Sequence, residues 1–272
     1  MADQSALSGS GLWLSCRSLW KREMVRFLRQ RSRIIGALGT PLVFWILVGA
    51  GLQRSFQLPG ASGTMSYLEF SYPGAIAAIL LFTAVFSTIS LIEDRREGFL
   101  QAVLVAPVSR TAIVMGKLLG ATTLAVGQGA LFLMLAPAAS IPLSWVSFLA
   151  MLGAMVVVSF AVTGLGFCVA WRMESTQGFH AIMNLVLMPM LVLSGAFFPH
   201  KGSATWLSWV VSVNPMTYGV SLLRHALYAG GTMAEAAHDV STTTALAISL
   251  AFAAATVGLA VASVSRRSGE PG

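Results

Sequence analysis

Charge is the scarcest property of this chain. Only 10% of its 272 residues are Asp, Glu, Lys or Arg, against 56% hydrophobic, and the mean hydropathy is +0.77. Soluble domains carry roughly 25% charged residues, so an ordinary water-soluble fold is excluded. Cysteine is nearly absent as well. Cys16 lies in a basic segment and Cys168 in an apolar run, which gives neither a disulfide framework nor metal-ligand spacing; both thiols read as inert. The four histidines (His180, His200, His225, His238) stand singly at the ends of apolar runs or between them, so no pair is placed to hold a haem inside a bundle. A phosphate loop is missing too: Gly116-Lys117 has no upstream glycine at the GxxxxGK[ST] spacing. Neither HExxH nor a nucleophile elbow occurs. The expectation is a non-enzymatic chain with no catalytic or metal site and no bound cofactor.

Long apolar runs take the place of those features. Crossing a hydrocarbon core of ~30 Å takes roughly 20 apolar residues, and six segments qualify: 34–52, 72–92, 118–135, 146–171, 182–198 and 243–264. None contains an ionisable residue except at a boundary. The fold class expected is therefore an all-α polytopic membrane protein. Residues 1–33 form a cytoplasmic interfacial helix, 34–264 a six-span transmembrane domain, and 265–272 a cytoplasmic tail. The 33 residues before the first run, and its own 19, are too many for a cleaved signal peptide.

The net charge of +7 would fit a nucleic-acid partner, but the basic residues sit between apolar runs rather than on one soluble face. Anionic lipid headgroups are the simpler partner. Lys and Arg also set orientation. Seven lie before the first span, four between the second and third, one between the fourth and fifth, and two in the tail. That makes fourteen on one side, against Arg54, Lys201 and Arg224 on the other. The positive-inside rule then places both termini in the cytoplasm, as an even number of spans also requires.

Four segments stand out. In the first, at 100° per residue, Trp13, Cys16, Trp20, Met24, Phe27 and Leu28 gather on one face while Arg22, Arg26, Arg29 and Arg33 gather opposite, the pattern of a helix lying on a membrane surface. In the second, Glu93-Asp94-Arg95-Arg96-Glu97-Gly98 leads into Phe99, Leu100, Val103 and Leu104. This reads as a short helix with an apolar docking face and a charged rim, stopped by Pro107; Ser109 then caps the next helix ahead of Arg110. The third is the fifth span itself, with Pro189 at mid-depth, Asn184 before it and Met183, Met188 and Met190 around it. Methionines there can make an adaptable apolar lining, but plain core packing is the commoner role. The fourth follows Phe198-Pro199: two short amphipathic helices, the first with Trp206 and Trp209, meet at Asn214-Pro215 ahead of Tyr218. Aromatics favour the headgroup level and Asn-Pro is a strong breaker, so a pair dipping into the outer leaflet is expected.

Two of these stretches, Glu93–Arg110 with Gly116-Lys117 and Ser194–Pro199 with Asn214–Tyr218 and Arg224, resemble the type-2 ABC transporter permease family, including its lipo-oligosaccharide and drug-export branches. The resemblance extends over nearly the whole chain. One departure is Met216, where that family often has leucine. What the resemblance implies is a bacterial inner-membrane dimer of six-span subunits, each docked on a separate ABC-type ATP-binding subunit that holds the ATP and magnesium. It implies a coupling helix after the second span, involving Glu93, Asp94, Arg95, Gly98, Phe99, Leu100, Pro107 and Arg110. It also implies re-entrant helices closing an outer gate, involving Phe198, Pro199, Asn214, Pro215 and Tyr218.

The rival functions are an ion-coupled transporter and a passive scaffold. Ion-coupled transporters usually bury ionisable groups along their path despite roughly 2.5–3.5 kcal/mol per charge, and none is found inside these spans. An ATP-driven exporter of amphipathic, lipid-linked or drug-like cargo fits better. An ion-independent secondary transporter or a membrane scaffold is the alternative.

Overall fold

The computed structural model describes residues 7–29, 31–52, 66–105, 108–198, 205–229 and 240–266. Eleven α-helices run through them: α1 (Leu7–Arg29), α2 (Arg31–Leu52), α3 (Tyr67–Ser87), α4 (Ile89–Arg96), α5 (Phe99–Val105), α6 (Arg110–Leu133), α7 (Trp145–Arg172), α8 (Thr176–Val192), α9 (Thr205–Val213), α10 (Pro215–Leu227) and α11 (Thr242–Arg266). No strand occurs among the described residues, so the fold is all-α, as its composition requires. Among the described residues, three helical stretches are by length and apolarity alone able to cross a membrane: Tyr67–Arg96, Trp145–Arg172 and Thr242–Ser265. Pro41–Gly51 and Thr176–Val192 are shorter apolar helical stretches.

Helix starts have local causes. Ser109, Ser144 and Ser175 each accept a hydrogen bond from the backbone N–H three residues on, satisfying a donor that the first turn cannot. Ser66 and Glu69 form a reciprocal capping box. The fifth apolar segment departs from expectation. Its helix starts at Thr176 on the Ser175 cap and ends at Val192, so residues 193–198 form a turn rather than the end of a span. Gly195, at φ +78, supplies a conformation that a side-chain-bearing residue rarely takes.

α3 is the central helix. Of its most apolar stretch 89% is buried, against 28% for α11, and it packs on α2, α6, α7, α8 and α10. Trp45 of α2 meets both Tyr72 of α3 and Phe132 of α6 edge-on, with ring centroids 5.2 and 5.7 Å away. Tyr72 also donates to the Phe132 carbonyl. These contacts clamp three helices at one end of the bundle.

α1 keeps only part of its apolar face free. Cys16, Leu19 and Phe27 are buried, and the helix packs lengthwise on α6. A Cβ at Gly116 would lie 2.7 Å from that of Leu19, so the approach depends on glycine. Trp13 and Leu28, grouped by the sequence with the apolar face, are 64% exposed; that face is split between α6 and the outside. Burial pushes the Cys16 thiol above its ordinary pKa, which keeps it protonated.

Candidate functional site

Two regions concentrate the polar chemistry, and the first is a buried charge cluster at the basic end of the bundle. Asp94 of α4 is 0% exposed, although its sequence neighbourhood reads as an exposed rim. Arg22 grips it with two nitrogens, at 2.7 and 3.0 Å. Arg26 adds a third bond at 2.8 Å and reaches Glu93 at 2.8 Å and Glu97 at 3.4 Å. From the other side Lys117 of α6 pairs with Asp94 and with Glu23 of α1, and donates to Ser90 at 3.1 Å. The physical reason for the inward turn is local charge: α6 brings the buried Lys117, and α1 the partly exposed Arg22 and Arg26, to one carboxylate. Removing one member of such a cluster typically costs about 3–5 kcal/mol.

Arg95 and Arg96 bond back to the bundle's own backbone, although Arg96 stays exposed. Arg95 donates to the carbonyls of Trp171 and Met173, at 2.6 and 3.0 Å, and Arg96 to that of Glu174 at 2.9 Å. These carbonyls stand at and just past the end of α7, where the last turn leaves acceptors open and the helix dipole favours a cation. Arg110 does the same for Ser265 near the end of α11, at 2.8 Å. Asp94 and Arg95 therefore do not form the charged rim expected of them.

Gly98 explains how α5 leaves α4. Its φ of +75 breaks the helix and turns the chain at an elbow. Beyond it Leu100 is only 4% exposed, so it anchors α5 in the core and offers nothing to a partner. Phe99 is half-buried beneath the Arg22 guanidinium, 3.7 Å from its ring centre. The outward side of α5 is Gln101, Ala102 and Val105, the last 86% exposed. Pro107 lies outside the described residues.

The second region is the turn after α8. Arg224 of α10, itself buried, donates to the Gly195 carbonyl at 3.0 Å and lies over the Phe70 ring. Tyr67 donates to the Phe197 carbonyl at 3.1 Å, and Ser194 to that of Leu191 at 2.6 Å. Asn214 accepts from the Met216 N–H to start α10, which has Pro215 in its first turn, and its amide donates to the Met190 carbonyl at 2.7 Å. Tyr218 bonds back to the Ser212 carbonyl at 2.7 Å. α10 is buried among α3, α7 and α11, whereas α9 exposes Trp206 and Trp209. Phe198 is exposed, and Pro199 lies outside the described residues.

Between these regions runs an apolar cleft of about 620 Å³. Phe82, Phe86, Phe197 and Met188 line it, with Thr83, Ser87, His180 and Asn184 as its polar points. α8 forms one wall and buries only Phe179, Met183, Leu187 and Leu191, one residue per turn. Ile182, Leu185, Val186, Met188 and Val192 stay uncovered.

Some participants carry a sequence signal that the reading above did not use. Lys117 sits one residue before an apolar run, and a cation there demands a counter-ion. Glu23 is the one acid in α1 and falls among its apolar residues. Nothing in the sequence pairs them.

An all-helical bundle whose longest helices are apolar enough to cross a membrane defines a polytopic membrane protein. The chain belongs to the ABC-2 type transporter family, whose profile it matches over residues 15–228. It is 29% identical to Nodulation protein J of Rhizobium leguminosarum bv. trifolii over 224 residues, covering 81% of this chain and 83% of that protein. It is 27% identical to Nodulation protein J of Rhizobium meliloti (strain 1021) with the same coverage. Identity to the inner membrane transport permease YhhJ of Escherichia coli (strain K12) is 28% over 169 residues, covering 60% of this chain and 45% of that protein.

Proposed function

We propose that this chain is the membrane-spanning subunit of an ATP-driven exporter, powered by a separate ATP-binding subunit that holds the ATP and magnesium and docks on α5. The observation that carries this reading is the division of α5. Leu100 and Phe99 fix one side in the bundle, while Ala102 and Val105 stand free on the other. A seven-residue helix with one anchored and one bare apolar side suits a load-bearing contact. A second permease subunit covers the bare face of α8, and the cleft beside it takes an amphipathic, lipid-linked or drug-like substrate. Phe198, Asn214, Pro215 and Tyr218, with Pro199, shape the outer gate.

The test is reconstitution of the chain with the ATP-binding subunit that co-purifies with it, using a short-chain fluorescent lipid and a set of amphipathic dyes as probes. ATP-dependent movement of at least one probe is expected. Purification without any ATP-binding subunit, together with probe movement that ignores ATP, overturns the reading.

Orientation belongs to the same proposal, with both termini in the cytoplasm of a bacterium and the fold in its inner membrane. Reporter fusions after Leu100 and Arg266 should read as cytoplasmic, and those after Gln57 and Gly202 as external. A cytoplasmic signal at Gly202 rules out six spans.

A further inference from the structure

We infer that α4 is a transmission hub, through which a push on α5 moves α1, α6 and the α7–α8 link as one body. This rests on the exporter reading above and names the residues that carry its force. Three consecutive residues of α4 grip three different places. Asp94 holds α1 through Arg22 and Arg26, and α6 through Lys117. Arg95 holds the end of α7, and Arg96 the Glu174 carbonyl before α8. α4 ends at the elbow of Gly98 and at its other end continues α3 through Thr88, whose backbone stays helical, so a shift of α4 is also passed to the central helix.

Stability alone is a poor account of this cluster. Apolar side chains of similar volume usually hold a helix seam as well as buried ion pairs do, or better. What charged pairs add is direction and register. Asp94 satisfies three cations in one geometry, and sliding α1 along α4 would strand a buried charge. The elements therefore move together or not at all. Arg22, Arg26 and Lys117 are positioning residues, since they act through Asp94 on elements that meet the partner and the cargo.

The experiment uses the complete complex in vesicles and measures transport per ATP hydrolysed. Arg22 and Arg26 retain partial exposure, so R22Q/R26Q removes the grip on α1 without opening a cavity. It leaves Asp94 with Lys117 alone, so the melting temperature should fall, while the ATP-binding subunit stays bound and transport per ATP, read at a temperature where the variant is folded, falls about tenfold, within the range produced by mutations along a coupling network. K117M should fall similarly, and K117R should restore coupling. Unchanged transport per ATP in both R22Q/R26Q and K117M overturns the hub. So does an equal loss in a variant destabilised to the same melting temperature away from the cluster, or a loss that merely tracks bound partner, because that is a packing effect. A wild-type complex that moves no probe with ATP overturns the exporter reading instead, and is told apart because the wild-type arm fails.

Discussion

Aspartate at both Ala102 and Val105 is expected to strip the ATP-binding subunit from the permease while leaving the permease folded. Both side chains are exposed on α5, so neither change buries a charge in the isolated chain. Docking would bury both. Desolvating an unpaired carboxylate against an apolar groove costs several kcal/mol, and each 1.4 kcal/mol is tenfold in affinity. The complex should therefore weaken on the order of a hundredfold or more. Leu100→Asp is the informative contrast. At 4% exposure it places a charge in the core of the permease itself, so it should lower the melting temperature and the yield of folded protein. The measurements are co-purification of the ATP-binding subunit and the melting temperature of the purified permease. An A102D/V105D variant that keeps its partner and transports normally removes α5 as the docking surface.

That contrast marks where the sequence stops being readable. Apolar runs and capping serines locate the helices because both are local: Ser109 starts α6 by accepting from Ala112, three residues away. Gly98 likewise sets the start of α5 from nearby. Which side of α5 faces out is a different kind of fact. Phe99, Leu100, Val103 and Leu104 look alike as an apolar side, and only the approach of Arg22 from 77 residues earlier in the chain decides that Phe99 is covered. The pairing of the charges is hidden from local sequence for the same reason. Glu93 to Arg96 resembles a solvated run when its neighbours are considered alone. It becomes a buried cluster once α1 and α6 bring cations to Asp94 across 72 and 23 residues of chain. The turn after α8 lies between these cases. Its glycine is visible in the sequence, but the partners that fix it, Tyr67 and Arg224, stand 130 and 29 residues away.

Gly74→Ala is expected to be among the most damaging single substitutions, though it adds only one methyl group. A Cβ at residue 74 would lie 2.1 Å from the Ala196 carbonyl oxygen, 2.6 Å from its carbon and 2.8 Å from its Cα. All three are backbone atoms, so no side-chain rotation relieves the clash. The turn cannot easily withdraw, because Arg224 holds the Gly195 carbonyl and Tyr67 that of Phe197. Each such bond contributes about 1 kcal/mol, and a buried acceptor left open costs about 1–3 kcal/mol. α3 cannot withdraw either, since it is the most enclosed helix of the bundle. Overpacking a close-fitted core costs typically 1–3 kcal/mol, and the broken turn adds to it. At roughly 2–4 °C per kcal/mol for a chain of this size, the melting temperature in detergent should fall by about 10 °C. Gly127→Ala is the matched control, because nothing lies within 4 Å of a Cβ there; it should melt near wild type. Should Gly74→Ala melt with that control, then the Ala196 carbonyl does not press on α3, and the pinned turn has no part in holding the end of α8 against the central helix.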